Sequence, residues 1–252
     1  MKHYLGKLAA RDRDEASDRH LAYYLTFIAG AANAGGFMAV HQYTSHMSGI
    51  VSAMADNAVL GDGAAVAAGF LALIAFILGA AASAIMINWG RRRGLHAQYA
   101  LPLLTEAMLF VGFAVTGVWD ASGPPTGVAV IATVSLLCFI MGFQNAIITK
   151  LSGARIRTTH ITGLVTDAGI ELGKGLYWNR AATSRHQPPV RADLPKLRLL
   201  SSLIALFFIG GVIGAVLFKH IGFTAALTLA VPLAILAAAP VIRDLQESRN
   251  RG

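Results

Sequence analysis

The chain has 252 residues, of which 55% are hydrophobic and 13% charged, with a formal net charge of +8. Soluble domains carry roughly 25% charged residues, so this chain has too little charge to coat a water-facing surface, which excludes an ordinary soluble enzyme. The composition is that of an integral membrane protein, in which a basic excess reports topology and not nucleic-acid binding.

Residues 1–20 form a polar N-terminal tail of mixed charge, with Asp12, Asp14, Glu15 and Asp18 among Arg11, Arg13 and Arg19. A cleavable signal peptide has a short apolar core soon after a basic start. This tail has none, so the first apolar block reads as a retained signal-anchor span. Apolar blocks follow at 21–41, 64–89, 101–119, 126–149, 198–218 and 221–242. Each is close to the roughly 20 residues that cross a ~30 Å hydrocarbon layer. Long unbroken apolar runs exclude the dyad alternation of a β-barrel. Two further apolar stretches, 47–60 and 160–173, are too short to span and read as half-helices. The turn DASGPP at 120–125 separates two halves, and a hydrophilic linker at 178–197 holds Pro188, Pro189 and Pro195, which oppose a continuous helix. Residues 243–252 read as a C-terminal tail.

The basic residues choose between topologies. With six spans and both short stretches re-entrant, 20 of the 21 Lys and Arg fall on one side, leaving only Lys219 on the other. The positive-inside rule makes the crowded side cytoplasmic, with both termini in. If the short stretches crossed fully, Arg91, Arg92, Arg93, Lys150, Arg155 and Arg157 would move outside. The expected fold is therefore an all-α integral membrane protein, with about six transmembrane helices and two half-helices in one membrane domain, 21–242. A bacterial inner membrane is the expected location.

The most specific signal is an internal match. SHMSGIVS (45–52) and THITGLVT (159–166) agree or exchange conservatively at all eight positions, at an offset of 114. Asn33-Ala34 is echoed by Asn145-Ala146, and FILGAAASA (76–84) by FIGGVIGAV (208–216). This reads as a duplication into repeat one (21–119) and repeat two (126–242). Three spans per half is an odd number, so the second half enters the membrane inverted, a plan typical of secondary transporters. In such folds the half-helices meet near the midplane, and their N-termini favour polar or anionic groups.

At 100° per residue, His160, Gly163, Asp167 and Glu171 share a stripe, as do His46, Gly49, Ala53 and Asn57. Ser48 and Thr162 lie on adjacent stripes, and Asp56 nearby. Together with Asn33, Gln144 and Asn145 these are the candidate cavity-lining residues. Simpler roles compete with each. Ser and Thr can cap helices, glycines can permit close packing, and the histidines can bond backbone across a repeat interface. Glu171 can pair with Lys174 three residues on. Glu106, Asp167, Glu171 and Asp56 are the candidate proton or ion carriers, since carboxylates in apolar segments need compensation. Glu106, five residues into its span, either snorkels towards Arg91–Arg93 or faces inward. The small-residue pairs Gly79/Ser83 and Gly210/Gly214 can pack within one chain or between copies in a homo-oligomer. The lone Cys138 sits in an apolar run, which suits a small buried or lipid-facing residue. No zinc HExxH, nucleophile GxSxG or Walker-type loop is present, so no catalytic residue, metal or cofactor is expected.

SHMSG (45–49) ahead of Leu60-Gly61, MGFQNA (141–146) and RTTHITGLVTDAGIELGKGL (157–176) resemble the YoaK-type family of membrane proteins of unknown function. The resemblance covers most of 20–242 and implies about six spans. Met47-Ser48-Gly49-Ile50 departs from the family's more usual Met-Thr-Gly-Asn, so position 50 lacks its Asn. The resemblance implies no substrate. From the repeat plan the expected function is a transporter or facilitator of a small polar or anionic solute, with membrane lipids as surroundings and no nucleic acid. A passive channel, or a non-transport protein binding lipid or a protein partner through its basic face, are the alternatives.

Overall fold

The computed structural model describes residues 15–40, 42–120, 127–151, 160–178 and 189–250. Most of the N-terminal tail, the DASGPP turn after Asp120, the Arg157-Thr158-Thr159 start of the second motif and the centre of the linker lie outside the described residues. Among the described residues all regular structure is helical: α1 Glu15–Val40, α2 Met47–Leu60, α3 Gly63–Arg92, α4 Ala100–Asp120, α5 Gly127–Leu151, α6 Ile161–Leu176, α7 Leu194–Ile221 and α8 Ala226–Arg249. A 3-10 turn, Gly222–Ala225, joins α7 to α8. α1 starts inside the expected tail, and α8 continues past residue 242 to Arg249.

Four stretches are long and apolar enough to cross a membrane: Gly63–Arg92, Ala100–Gly117, Val128–Leu151 and Leu194–Glu247. The last holds both α7 and α8. These are the helices of an integral membrane protein. α1 falls short of the same standard, because Tyr23, Tyr24 and Asn33 dilute its apolar residues. Its position explains why that is tolerated: α1 packs on α7, α5 and α8. Leu21, Leu25, Ile28, Ala29 and Ala32 are buried in the main core.

Two helix pairs dominate the packing, α1 with α7 and α3 with α5. Each is built on glycine. A Cβ on Gly30 would overlap the carbonyl of Phe207, and one on Gly210 would overlap the carbonyl of Phe27. The second pair repeats this: a Cβ on Gly79 would overlap the Phe139 carbonyl, and one on Gly142 that of Phe76. The backbones thus touch where no other residue fits. All four contacts use Phe-x-x-Gly, and all four fall at the middle of their helices. Ala31 meets Gly214 and Gly35 meets Phe218 further along, so α1 and α7 run parallel. Lys150 donates to Asn88 at 3.0 Å beyond the second crossing, so α3 and α5 are parallel too. The Gly79/Ser83 and Gly210/Gly214 faces therefore pack within one chain.

α4 and α8 are antiparallel. Asp244 holds the loop before α4 at one end, and the Phe113 and Phe223 rings meet in a tilted contact, centroids 5.3 Å apart, at the other. The short helices lie outside this body, α2 on α3 and α6 on α7. Ile50 of α2 is buried with Ala72, Val134 and Cys138, which gives the lone cysteine a packed, apolar site. Asp62 and Asp193 cap α3 and α7, each accepting a backbone N–H three residues on at 3.0 Å.

Alanine at Gly30, Gly79, Gly142 or Gly210 is expected to destabilise the chain by ~1–3 kcal/mol through overpacking. Alanine at Gly112, where a Cβ meets open space, is expected to be neutral or stabilising by up to ~1 kcal/mol. Unfolding midpoints of detergent-solubilised variants check this, and similar shifts at both kinds of site would remove the crossing contacts from the account.

Candidate functional site

The short helices begin alike. His46 and His160 occupy the N-cap positions with nearly the same backbone, φ −98 and −90, and neither side chain caps its helix. Each imidazole instead folds back over the glycine three residues on. A Cβ on Gly49 would come within 3.0 Å of His46 Nδ1, and one on Gly163 would overlap the His160 ring. The glycine of the His-x-x-Gly pattern is a seat for the ring. Ser48 and Thr162 lie one residue inside their helices, so they are not caps, and both are exposed.

Depth follows from the helix rise of 1.5 Å per residue. Met54 of α2 packs against Gly69 of α3, about 15 Å from the Phe76–Gly79 crossing towards the Gly63 end. From Met54 back to Met47 is about 10 Å, which brings His46 close to the level of the crossing. In the second half Glu171 of α6 meets Asp193 and Lys196 at the start of α7. The ten residues from Glu171 back to Ile161 rise about 15 Å towards the Phe207–Gly210 crossing.

Two adjoining cavities flank α2. One of about 280 Å³ is lined by Phe37, Gln42, Tyr43, His46, Gly49, Ile50 and Ala53. The other, about 210 Å³, is lined by Ala53, Met54, Asn57 and residues of α3. The stripe His46, Gly49, Ala53 and Asn57 thus faces open space, although Asn57 Nδ2 already donates to the Ala53 carbonyl at 2.8 Å. Phe37 and Tyr43 stack at 4.6 Å across the cavity mouth. Asn33 accepts from the Ser45 hydroxyl at 2.7 Å and from its N–H at 3.3 Å, which fixes the approach to α2. Asp56 is exposed, near the α3 end of α2.

Among the described residues the two short helices pack on different long helices, α2 on α3 and α6 on α7. Contacts run from α6 to α7, α1, α5, α3 and then α2, so α2 and α6 are outermost.

Asp167 and Glu171 share a charged cluster at the linker. Glu171, 1% exposed, accepts from Lys174 Nζ at 2.9 Å and from the Asp193 N–H at 3.0 Å, with Lys196 Nζ at 3.4 Å. Asp167, half exposed, lies 4.0 Å from Lys196. Glu171 is thus a latch between α6 and α7, as its spacing to Lys174 allowed. Its carboxyl is held down at about 2, against an ordinary 4.5, first by the Asp193 N–H and then by Lys174, with burial opposing and Lys196 adding.

Glu106 and Gln144 are paired across α4 and α5. Both are fully buried, the Gln144 amide is the hydrogen-bonding neighbour of the Glu106 carboxyl, and no polar atom of either makes a well-formed hydrogen bond. The inward alternative therefore holds for Glu106. Asn145 Oδ1 is also buried without a partner among the described residues.

A third cluster escaped sequence reasoning. Asp244 accepts from the N–H groups of His96 and Ala97 at 3.0 and 2.8 Å and from His96 Nδ1 at 3.1 Å, with Glu247 3.7 Å from the same nitrogen. His96, Asp244 and Glu247 are close enough to hold a metal ion. Both Asp244 oxygens already serve backbone donors, however, and the arrangement is a clamp between the α4 entry and α8. A separation of 148 residues left no local signal.

The fold class and these buried polar groups are those of a helical membrane protein. The chain belongs to the DUF1275 family of proteins of unknown function, whose model matches residues 21–239. The YoaK-type resemblance is compatible with that membership. No curated protein and no solved structure matches the chain.

A carboxylate favoured by folding contributes stability that is full above its unfolded value and lost as pH falls through the folded one. The Glu171 latch is therefore expected to hold from neutral pH down past 4.5 and to release as pH approaches about 2. Glu171→Gln should lower the unfolding midpoint at pH 7 and flatten the acid limb of the midpoint-versus-pH curve. An unchanged acid limb would count against the latch. Asp244→Ala, which orphans two N–H groups, is expected to destabilise by ~1–2 kcal/mol, measured in the same way.

Proposed function

We propose that this protein is a six-span transporter or facilitator of a small polar or anionic solute, built as two inverted repeats. In this reading it sits in a bacterial inner membrane with both termini in the cytoplasm. The observation that carries the reading is the doubled construction. The crossing of α1 with α7 is reproduced by that of α3 with α5, and a His-over-Gly short helix starts near the level of each. Matching residues keep fixed offsets: 112 for Phe27/Phe139 and Gly30/Gly142, and 131 for Asp62/Asp193, Phe76/Phe207 and Gly79/Gly210. The offset of 114 at the histidines grows to 131 at the Asp caps, so 17 extra residues fall at the second-half linker. Each half holds three long helices, which inverts the second half relative to the first.

The solute site lies beside α2. An interrupted helix at mid-depth is tolerated where it lines a polar cavity, and the His46 ring and Asn57 provide donors on otherwise apolar walls. α6, with its charged latch, serves as the counterpart that regulates or gates the cytoplasmic end.

Purified protein in liposomes tests the reading with a panel of small neutral polar solutes and monovalent anions. Saturable flux with counterflow of at least one solute is expected. His46→Ala is expected to reduce it about tenfold, the worth of roughly one lost hydrogen bond. His160→Ala should reduce it less. Flux that never saturates and lacks counterflow would make the protein a channel. No flux of any solute, or full flux in both variants, would overturn the proposal.

A further inference from the structure

Glu106 stands apart from the cavity site and from the charged clusters. It lies six residues inside α4, about 9 Å from the end held by Asp244, in the core of a helix that crosses the membrane. Its side chain is fully buried and neither carboxyl oxygen makes a well-formed hydrogen bond. The elements packed on α4 are α8, α5, the 3-10 turn and α3. α5 brings the neutral Gln144 beside it. α3 brings Met86, whose sulfur takes the neighbouring Thr105 hydroxyl at 3.5 Å. α8 brings Leu229, Leu233 and Leu236 to the same core. The titratable groups along α4 towards its base are Tyr99, about 10 Å away along the axis, and then His96 with Asp244 and Glu247, about 15 Å away. Among the described residues no charged side chain pairs with Glu106.

A bare charge costs ~2.5–3.5 kcal/mol at the centre of a spanning helix even on permissive insertion scales, and less towards its end; an unpaired buried carboxylate also forgoes its hydrogen bonds. Something must compensate it. A hard metal cation takes about six oxygens, whereas Glu106 and Gln144 together offer three. A proton needs only one.

We propose that Glu106, with Gln144 beside it, is an exchangeable proton-binding site, protonated in the packing seen here, whose loss of the proton to water loosens α4 from α5. The acid form can sit against the Gln144 amide, and the ionised form needs water, which enters only when the helices part. Use of this proton to drive a solute rests on the transport reading; the proton site itself does not.

The test uses the full chain in detergent micelles without any solute, so its failure is separable from a failure of transport. Infrared spectra of the wild type at neutral pH should contain a carboxylic-acid C=O band that is missing in Glu106→Gln, a near-isosteric neutral change. In Gln144→Leu the band should persist but shift, because its amide neighbour is gone; this variant also covers the case in which Glu106→Gln does not fold. On raising the pH the wild-type band should disappear. Amide hydrogen exchange in α4 and α5 should then accelerate relative to Glu106→Gln by up to about tenfold per pH unit, the limit for release of one proton. Identical infrared spectra for wild type and Glu106→Gln would mean that Glu106 is ionised and would overturn the proposal. So would a band that survives at every pH, or exchange that tracks that of Glu106→Gln throughout.

Discussion

Inside a bilayer, apolar side chains gain little by leaving lipid for one another, so helices hold together through closeness of fit. In this protein that closeness is set at four glycines. Gly30, Gly210, Gly79 and Gly142 each lie where a carbonyl of the facing helix occupies the space of a Cβ. A phenylalanine three residues earlier supplies that carbonyl every time. Because the contacts sit mid-helix, they fix the depth at which α1, α3, α5 and α7 cross, and with it the level at which the short helices begin. They also leave α2 packed mainly on α3 and α6 mainly on α7. The open space beside His46 follows from that placement.

The charged groups obey a second constraint, which varies along the helices. Near the ends carboxylates find donors: Asp62 and Asp193 cap helices, Asp244 takes two backbone N–H groups, and Glu171 takes a backbone N–H and two ammonium groups. These contacts tie loops and short helices to the long ones. In the core, among the described residues, such partners are absent for Glu106, which has Gln144 beside it. The same residue type therefore acts as a fastening at one depth and stands as an unanswered polar group at another.

Much of this was readable in advance, for identifiable reasons. The apolar blocks, the short helices at 47–60 and 161–176, and the Glu171–Lys174 pair are local features, set by periodicity and spacing. The small-residue faces were visible too, but their partners were not, because helix pairing is a long-range property. A one-residue register error shows the limit. Composition aligns FILGAAASA with the segment at 208, whereas the crossing contacts align Phe76 and Gly79 with Phe207 and Gly210, one residue earlier. Two adjacent phenylalanines, Phe207 and Phe208, make the sequence ambiguous, and only the backbone contact resolves it. The recurrent Phe-x-x-Gly was a signal in the sequence that could have found the crossings. The Asp193-Leu194-Pro195 start of α7 was another, since an Asp cap before an early proline marks a helix N-terminus. The packing of α2 on α3 and of α6 on α7 had no such signal, since the pattern of a half-helix does not say which long helix carries it.

The repeated offsets also locate where the two halves stopped being alike. At the offset of 112, Gln144 stands where the first half has Ala32; at 114, Asp167 and Glu171 stand where it has Ala53 and Asn57. The glycines, the phenylalanines and the Asp caps are kept, and these position backbone; the histidines over their glycines are kept as well. What differs is hydrogen-bonding and charged chemistry on the same scaffold. A symmetric scaffold with symmetric chemistry would present the same groups at both membrane faces and give direction to nothing. Here the first half leaves Asn57 and a small Ala53 beside open space, while the second fills the equivalent helix face with a latched carboxylate and buries Gln144 against Glu106. On the proposed transport reading, the places where the two halves differ are where selectivity and coupling would reside.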